Sequence, residues 1–365
     1  MEFKLPTTIL SLEKVKLPDW KCFDLPSQEF IEDVWKLMLE EKVFEEHNKV
    51  HRHINNTFCK MTMHSYPGYN RKQLISCTLL IMLYTCFDEK MDAEKDPVER
   101  EKFAKRCKSI LLTGKLPEDP FYMDHLWLRL LNDLKENCKG RPGALNRTIR
   151  GHIYYIESIS PFLNLKEYNG CLHMDLYFFI RIADMGIEGP SQMLEVFLDQ
   201  QSVLGDRFFC DARYNDMIKA ATKLYAIIND ICSYEKEFCE GNFNINPLFC
   251  IQKQENKSFE EAFNKMVEYF NESVESFQQL EAMIREDMKQ MLTEKEYEKV
   301  DEFFYHLHSS LIQYRKWMFY ESHYRSPTSP FKELRQESLL KHSKLDFGTV
   351  DDMNTKTSSN LQTNL

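Results

Sequence analysis

Glycine occupies only 11 of 365 positions, about 3% where globular chains usually carry ~7%. A chain so short of the residue that turns tight corners is poorly suited to turn-dense β sandwiches or glycine-rich phosphate loops. Apolar residues are nevertheless 43% and aromatics 13%, enough to build a core rather than a disordered coil. The apolar positions recur at helical spacing. After a plausible N-cap at Ser27 come Phe30, Ile31, Val34, Trp35, Leu37 and Met38, one face of a 3.6-residue repeat. Period-two alternation is never sustained, and no Asn-Gly or Asp-Gly hairpin signal appears. The spacing predicts helices over 71–88, 95–112, 121–138, 145–160, 172–184, 191–202, 211–240, 258–292 and 294–325, with Pro161 ending the fourth and Gly186, Gly189 and Pro190 breaking the chain after the fifth. The expected fold class is all-α: one single-domain helical bundle over 27–325. An irregular segment, 1–26, precedes it, and a polar, disordered tail, 326–365, follows.

Charge narrows the partners. The formal net charge is −10 and the pI about 5.7, so no overall basic surface for nucleic acid is expected. The longest apolar run, Cys77 to Phe87, is well short of the ~20 residues that span a bilayer. The first residues show no apolar signal core. Eleven cysteines lie scattered without a CxxC pair, which reads as reduced thiols used as small core residues in a cytoplasmic protein. His47, His51 and His53 cluster, but no cysteine or aspartate stands at metal spacing, so they read as a solvated helix face.

Two polar constellations carry chemistry. Asp88-Glu89-Lys90-Met91-Asp92 closes an apolar helix. Asp88 and Asp92 are i and i+4, so two like charges share one face, a costly arrangement that a hard cation such as Mg²⁺ relieves. The second is Asn229-Asp230-Ile231-Cys232-Ser233-Tyr234-Glu235-Lys236-Glu237. Asn229, Ser233 and Glu237 are i, i+4 and i+8, a stripe of amide, hydroxyl and carboxylate oxygens suited to half of a Mg²⁺ shell. Lys236 adds a cation for an anionic ligand.

Together the motifs resemble the aspartate-rich motif and the Asn/Ser/Glu triad of class I terpene synthases, in the microbial-type form without an extra N-terminal domain. The triad fits ND(I/L/V)xSxx(K/R)E at each defined position. Glu89 stands where a second aspartate is common. Tyr177 and Arg181, 48 residues before Asn229, match the tyrosine and diphosphate-sensing arginine of such enzymes. Asp184 matches the acidic linker of their broken helix, and Met185 the residue whose carbonyl faces substrate. Gly241-Asn242-Phe243-Asn244 looks like the segment after the triad. Trp317 is followed by His323 and Tyr324 where the family has arginine and tyrosine. His323 is thus a departure, and Arg325 is the next available cation.

The resemblance implies an enzyme that uses Mg²⁺, three ions in such proteins, with Mn²⁺ able to substitute. Asp88, Glu89 and Asp92 would hold metal on one rim, and Asn229, Ser233 and Glu237 on the other. Arg181, Lys236 and Tyr324 would contact diphosphate. The partner is a linear prenyl diphosphate, ionised and cyclised with release of diphosphate; the protein is a monomer or homodimer. The Cys-, Met- and Phe-rich composition is faintly similar to coral-type members, which favours geranylgeranyl diphosphate, with farnesyl diphosphate next. Tyr84, one turn before Asp88, and Phe178, three residues before Arg181, are expected to face the pocket with Met185 and Trp317. Phe87 is expected to pack between helices. The rival readings are a chain-elongating prenyl diphosphate synthase, which normally has a second aspartate-rich motif where this chain has the triad, and an inactive helical scaffold.

Overall fold

The computed structural model describes residues 4–24, 27–40, 59–167, 170–322 and 324–335; His47, His51, His53 and His323 lie outside these. The described chain is α-helical. In order the helices are α1 (Gln28–Glu40), α2 (59–65), α3 (Arg71–Ala93), α4 (Pro97–Thr113), α5 (Tyr122–Asn137), α6 (Pro142–Glu167), α7 (Met174–Asp184), α8 (Glu188–Leu198), α9 (Gly205–Phe209), α10 (Ala212–Cys232), α11 (Tyr234–Glu240), α12 (Pro247–Glu255), α13 (Phe259–Met291) and α14 (Glu294–Tyr320). Local chemistry starts them where the chain changes direction. Asn70, Ser258 and Thr293 each cap α3, α13 and α14 reciprocally with a residue three positions on, satisfying amides that a helix start leaves open.

The centre of the bundle is α10. Leu224, Ala226, Ile227, Ile228 and Ile231 on it are all fully buried, because it packs against α13 on one side and α14, α7 and α8 on others. α6 lies against α8, α4 and α7. Its approach to α8 is glycine-lined: a Cβ on Gly151 would come within 2.9 Å of the Gly189 backbone, so neither position has room for a side chain.

Four local expectations change. α6 runs through Pro161, because Pro161 and Glu157, whose carbonyl loses its amide partner, are on an exposed face where water can bond it. Gly189 and Pro190 fall inside the first turn of α8, where a missing amide proton is harmless. The single helix expected over 211–240 is two, divided at Ser233, and α14 stops at Tyr320 rather than 325.

The domain also extends past the boundaries read from sequence. Leu12 and Val15, in the irregular first segment, are fully buried, as are Phe331 and Leu334 beyond residue 325. Leu10 pairs with Phe331 in a parallel bridge, Leu10 N donating to Pro330 O at 2.8 Å and Lys332 N to Leu10 O at 2.9 Å. Glu333 accepts from Ser11 Oγ and Leu12 N. Residues 326–335 therefore belong to the packed body and not to a polar tail: Phe331 and Leu334 supply an apolar face that the surrounding polar composition hides.

Candidate active site

The two motifs come to one end of the bundle. Asp88 and Asp92 lie on the last turns of α3 and are exposed, and Glu89 is half-buried. The stripe of the second motif survives the break at Ser233. Ser233 keeps helical dihedrals, its amide bonds Asn229 O at 2.8 Å, and Glu237 N bonds Ser233 O at 2.9 Å. The i, i+4, i+8 register thus holds across the junction of α10 and α11.

Arg181 is the hub of the site. Its Nη2 donates to Asn229 Oδ1 at 3.0 Å, its Nε to Asp230 Oδ1 at 3.1 Å, and its Nη1 to Asp184. The guanidinium sits over the Phe162 ring at 5.0 Å. Tyr177 and Asp184 fall with Arg181 at i, i+4 and i+7, one face of α7. Tyr177 OH donates to Asp230 Oδ2 at 2.9 Å and lies as near Ile245 O. Asn246 Nδ2 holds the Asp230 carbonyl at 2.7 Å. Asp230 was legible only as part of the triad pattern; its work as the anchor for Arg181 and Tyr177 shows only once α7 faces α10.

Burial pushes the Asp230 and Asp184 pKa values up, and Arg181 opposes it in both cases. Burial also works against the Arg181 charge, but Asp230 and Asp184 more than offset it. Glu89 shows the imbalance at the rim. Burial and Asp88 push its pKa up to about 8, against the pull of Lys236, with Asp92 adding to the rise. Lys236 links the two motifs: burial lowers its pKa, yet Tyr324, Glu237, Glu240 and Asp88 together hold it above its ordinary value. Tyr324 is half-buried, bonds Asn229, and is raised chiefly by burial. Tyr314, not singled out in the sequence, brings its hydroxyl to 3.5 Å from Asn229 Nδ2, and Trp317 packs 6.3 Å from its ring.

The structure gathers most predicted residues and leaves one apart. Tyr84 is one turn below Asp88, stacked on Tyr155 at 3.9 Å, with its hydroxyl 2.7 Å from His152 Nδ1. Met185 caps α7 beside Gly186, whose φ of +63° places it against the Tyr155 and Tyr84 rings. Phe87 is fully buried against Phe103. Phe178 instead packs on Tyr269 of α13, with Lys223 Nζ 4.4 Å over its ring. The face of α7 that meets the site is the one bearing Tyr177, Arg181 and Asp184, and Phe178 is rotated about 100° from Tyr177. Arg325 donates to Tyr320 O at 2.7 Å.

The donor chemistry fits a hard divalent cation. Among the described residues no three His, Cys, Asp or Glu side chains converge closely enough to hold a metal by themselves. The oxygens are divided between α3 and the α10–α11 junction, and Asp88, Glu89 and Asp92 set three carboxylates within five residues of α3. Like charges so close are what a hard cation between the two motifs would neutralise. Asn229 Oδ1 already accepts from Arg181, but an amide oxygen has a second lone pair to offer.

Comparison with known proteins places this geometry. Residues 79–276 match the family model of terpene synthase family 2, C-terminal metal binding, a stretch that includes both motifs. Terpene synthase 1 of Acytostelium subglobosum is 28% identical over 328 residues, 90% of this chain and 98% of the relative. Terpene synthase 1 of Dictyostelium purpureum is 28% identical over 334 residues, 90% and 87% of the two chains. The crystal structure of linalool/nerolidol synthase from Streptomyces clavuligerus shares the fold, with a TM-score of 0.65 at 15% identity, over 87% of this chain and all of that one. No helix among the described residues is long and apolar enough to cross a membrane. With a metal-binding family model over more than half its length and both polar motifs at one end of an all-α bundle, the chain belongs to terpene synthase family 2 and is a class I terpene synthase.

Proposed function

We propose that the protein is a Mg²⁺-dependent cyclase that ionises a linear prenyl diphosphate, with geranylgeranyl diphosphate favoured and farnesyl diphosphate next, and closes the resulting carbocation into a terpene. The observation that carries this reading is the hub at Arg181, which joins Asn229 of the triad to Asp184 and Asp230. Asp88, Glu89 and Asp92 would hold metal on one rim, and Asn229, Ser233 and Glu237 on the other. Bound Mg²⁺, three ions with Mn²⁺ as a substitute, would supply Lewis acidity toward the departing diphosphate.

The chain's own residues do the rest. Arg181, Lys236 and Tyr324 bind the diphosphate oxygens, two by charge and one by hydroxyl. Asp230 and Asp184 hold the Arg181 guanidinium in place, so that little ordering remains when the anion arrives. Below the rim, Tyr84, Tyr314 and Trp317 offer ring faces, each able to attract a cation by ~0.5–2 kcal/mol. The apolar interior excludes the water that would quench it. No side chain is needed as the final base, because released diphosphate can take the proton.

The test is direct. Purified protein with Mg²⁺ is incubated with geranylgeranyl or farnesyl diphosphate, and the extracted hydrocarbons are analysed. Cyclic products are expected, lost in excess chelator and restored by Mg²⁺ or Mn²⁺. Undiminished turnover in chelator sinks the mechanism. A requirement for isopentenyl diphosphate would identify chain elongation instead.

A further inference from the structure

The two faces of α11 meet different partners. Ser233, at the junction with α10, and Glu237 lie on the face that continues the stripe of Asn229. Glu235 is two residues from each, about 200° around the helix, and so turns to the opposite side. There it is buried, 5% exposed, and meets the chain that follows α14. Ser326 Oγ donates to Glu235 Oε1 at 3.0 Å, and Thr328 Oγ1 donates to the same oxygen. Thr328 N donates to Ser326 Oγ at 3.3 Å. One carboxylate oxygen thus gathers a turn of the chain after α14. Hydrogen bonds to a carboxylate are stronger than those between neutral groups, and shielding from water strengthens them further.

Tyr324 lies two residues before Ser326, a stretch of at most ~7 Å. On its other side, Ser322 Oγ donates to Met318 O at 2.7 Å and Ser322 N to Trp317 O at 2.9 Å, fixing that end to α14. The phenol is therefore held between two anchored serines. It bonds Asn229, and Lys236 and Glu237 are among its charged neighbours. The turn of α11 that carries Lys236 thus also fastens the chain that carries Tyr324. Beyond Ser326 the segment is secured independently. Ser326 N donates to Leu334 O at 2.9 Å, and the Phe331 ring lies 5.6 Å from Phe259 and 5.4 Å from Phe263. Loss of the Glu235 contact should therefore loosen the residues around Tyr324 and leave the body in place.

We infer that Glu235 is a positioning residue for the diphosphate end of the site: its carboxylate fastens the chain after α14 to α11 and so holds the Tyr324 hydroxyl beside Asn229 and Lys236. This rests on the prenyl diphosphate reading above. In sequence Glu235 is one more carboxylate beside the triad; in the fold it turns away from the triad's face. A hydroxyl held in place before the anion arrives loses little freedom on binding, whereas a loosened one must be ordered at that moment, and affinity falls.

The experiment compares full-length wild type, Glu235→Ala, Glu235→Gln and the double variant Ser326→Ala/Thr328→Val. It measures affinity for inorganic diphosphate with Mg²⁺ by calorimetry, KM and kcat on geranylgeranyl and farnesyl diphosphate, and amide exchange over 322–334, with thermal unfolding as a check on the fold. Glu235→Ala and the double variant should each weaken diphosphate binding by about fivefold or more and raise KM in step. Amide exchange should quicken around Tyr324 and stay unchanged in α10. Glu235→Gln keeps an acceptor oxygen and should remain within about twofold of wild type. In a Tyr324→Phe background Glu235→Ala should add less than about twofold, because the hydroxyl it positions is already gone. An undiminished further loss there would overturn the positioning role and assign Glu235 to general stability. If Glu235→Ala does not fold, the double variant reads the same contact from its other side. Unchanged diphosphate affinity in folded variants also overturns the inference. A wild type that binds no diphosphate with Mg²⁺ and converts neither substrate overturns the functional reading instead, so the two failures are distinct.

Discussion

The two ends of the bundle handle buried polarity in opposite ways. At the mouth, Arg181 is matched by Asp184, Asp230 and Asn229, and Asp230 is matched again by Tyr177. At the opposite end, where α3 begins, the Tyr69 hydroxyl and His306 Nδ1 lack partners among the described residues, and burial lowers the His306 pKa to about 4, keeping the ring neutral. The difference follows from what each group costs. A buried charge without a counterpart is too expensive to keep, whereas a neutral hydroxyl without one costs only ~1–3 kcal/mol. Matched partners are therefore concentrated around the buried Arg181 charge, while neutral groups at the opposite end are left with loose polar ends.

That contrast can be broken most severely at Asp230. Asp230→Asn leaves Tyr177 facing a neutral amide and Arg181 with Asp184 as its one remaining carboxylate, and losing a buried hydrogen-bonded charge of this kind costs about 1.5–3 kcal/mol. Urea unfolding should report a loss of this size, and turnover should fall with it. A variant as stable as wild type would show that the hub is not a matched network. An intermediate effect is expected beside α14, where Glu321 meets His64 Nε2 at 3.6 Å and Lys60 Nζ at 3.4 Å. The His64 contact, against some opposition from burial and with help from Lys60, lowers the Glu321 pKa to about 2. A depressed carboxylate stabilises the fold above its unfolded pKa, about 4.3, and that contribution fades as pH falls toward 2. Glu321→Gln should thus be less stable than wild type at pH 6, by about 1 kcal/mol once solvent screening is allowed for, and the gap should narrow by pH 3. A gap that stays constant with pH would assign the effect to packing. The smallest change belongs to Tyr69. Tyr69→Phe removes an unbonded hydroxyl and should raise stability by up to about 1 kcal/mol; a clear drop in melting temperature would mean that the hydroxyl has a partner in solution.

How much of this was legible in the sequence depended on whether the signal was periodic. The triad could be read because oxygen-bearing side chains at i, i+4 and i+8 declare their shared face without any knowledge of neighbours, and its register survived even where the helix was divided at Ser233. The long helices were legible for the same reason. What failed needed a partner. Phe178 was assigned to the pocket by its distance from Arg181, but which side of α7 faces the site is decided by Asp230 on another helix. Phe331 and Leu334 are two apolar residues in a polar stretch, and nothing local indicates that they meet a segment more than 300 residues earlier. Pro161 carries a real helix-breaking cost, but a solvent-facing turn reduces it.

The bridge between Leu10 and Phe331 has a consequence for the order of folding. Its two residues lie near opposite ends of the described chain, so the contact has almost the largest sequence separation the described residues allow, and the entropy of closing such a loop opposes early formation. The helices between must assemble before the ends are brought together. The residue pair is then expected to form late, so that weakening it should speed unfolding more than it slows folding. Tyr324 lies between the end of α14 and this closure, so weakening the bridge is expected to loosen the chain around Tyr324 before the helices themselves.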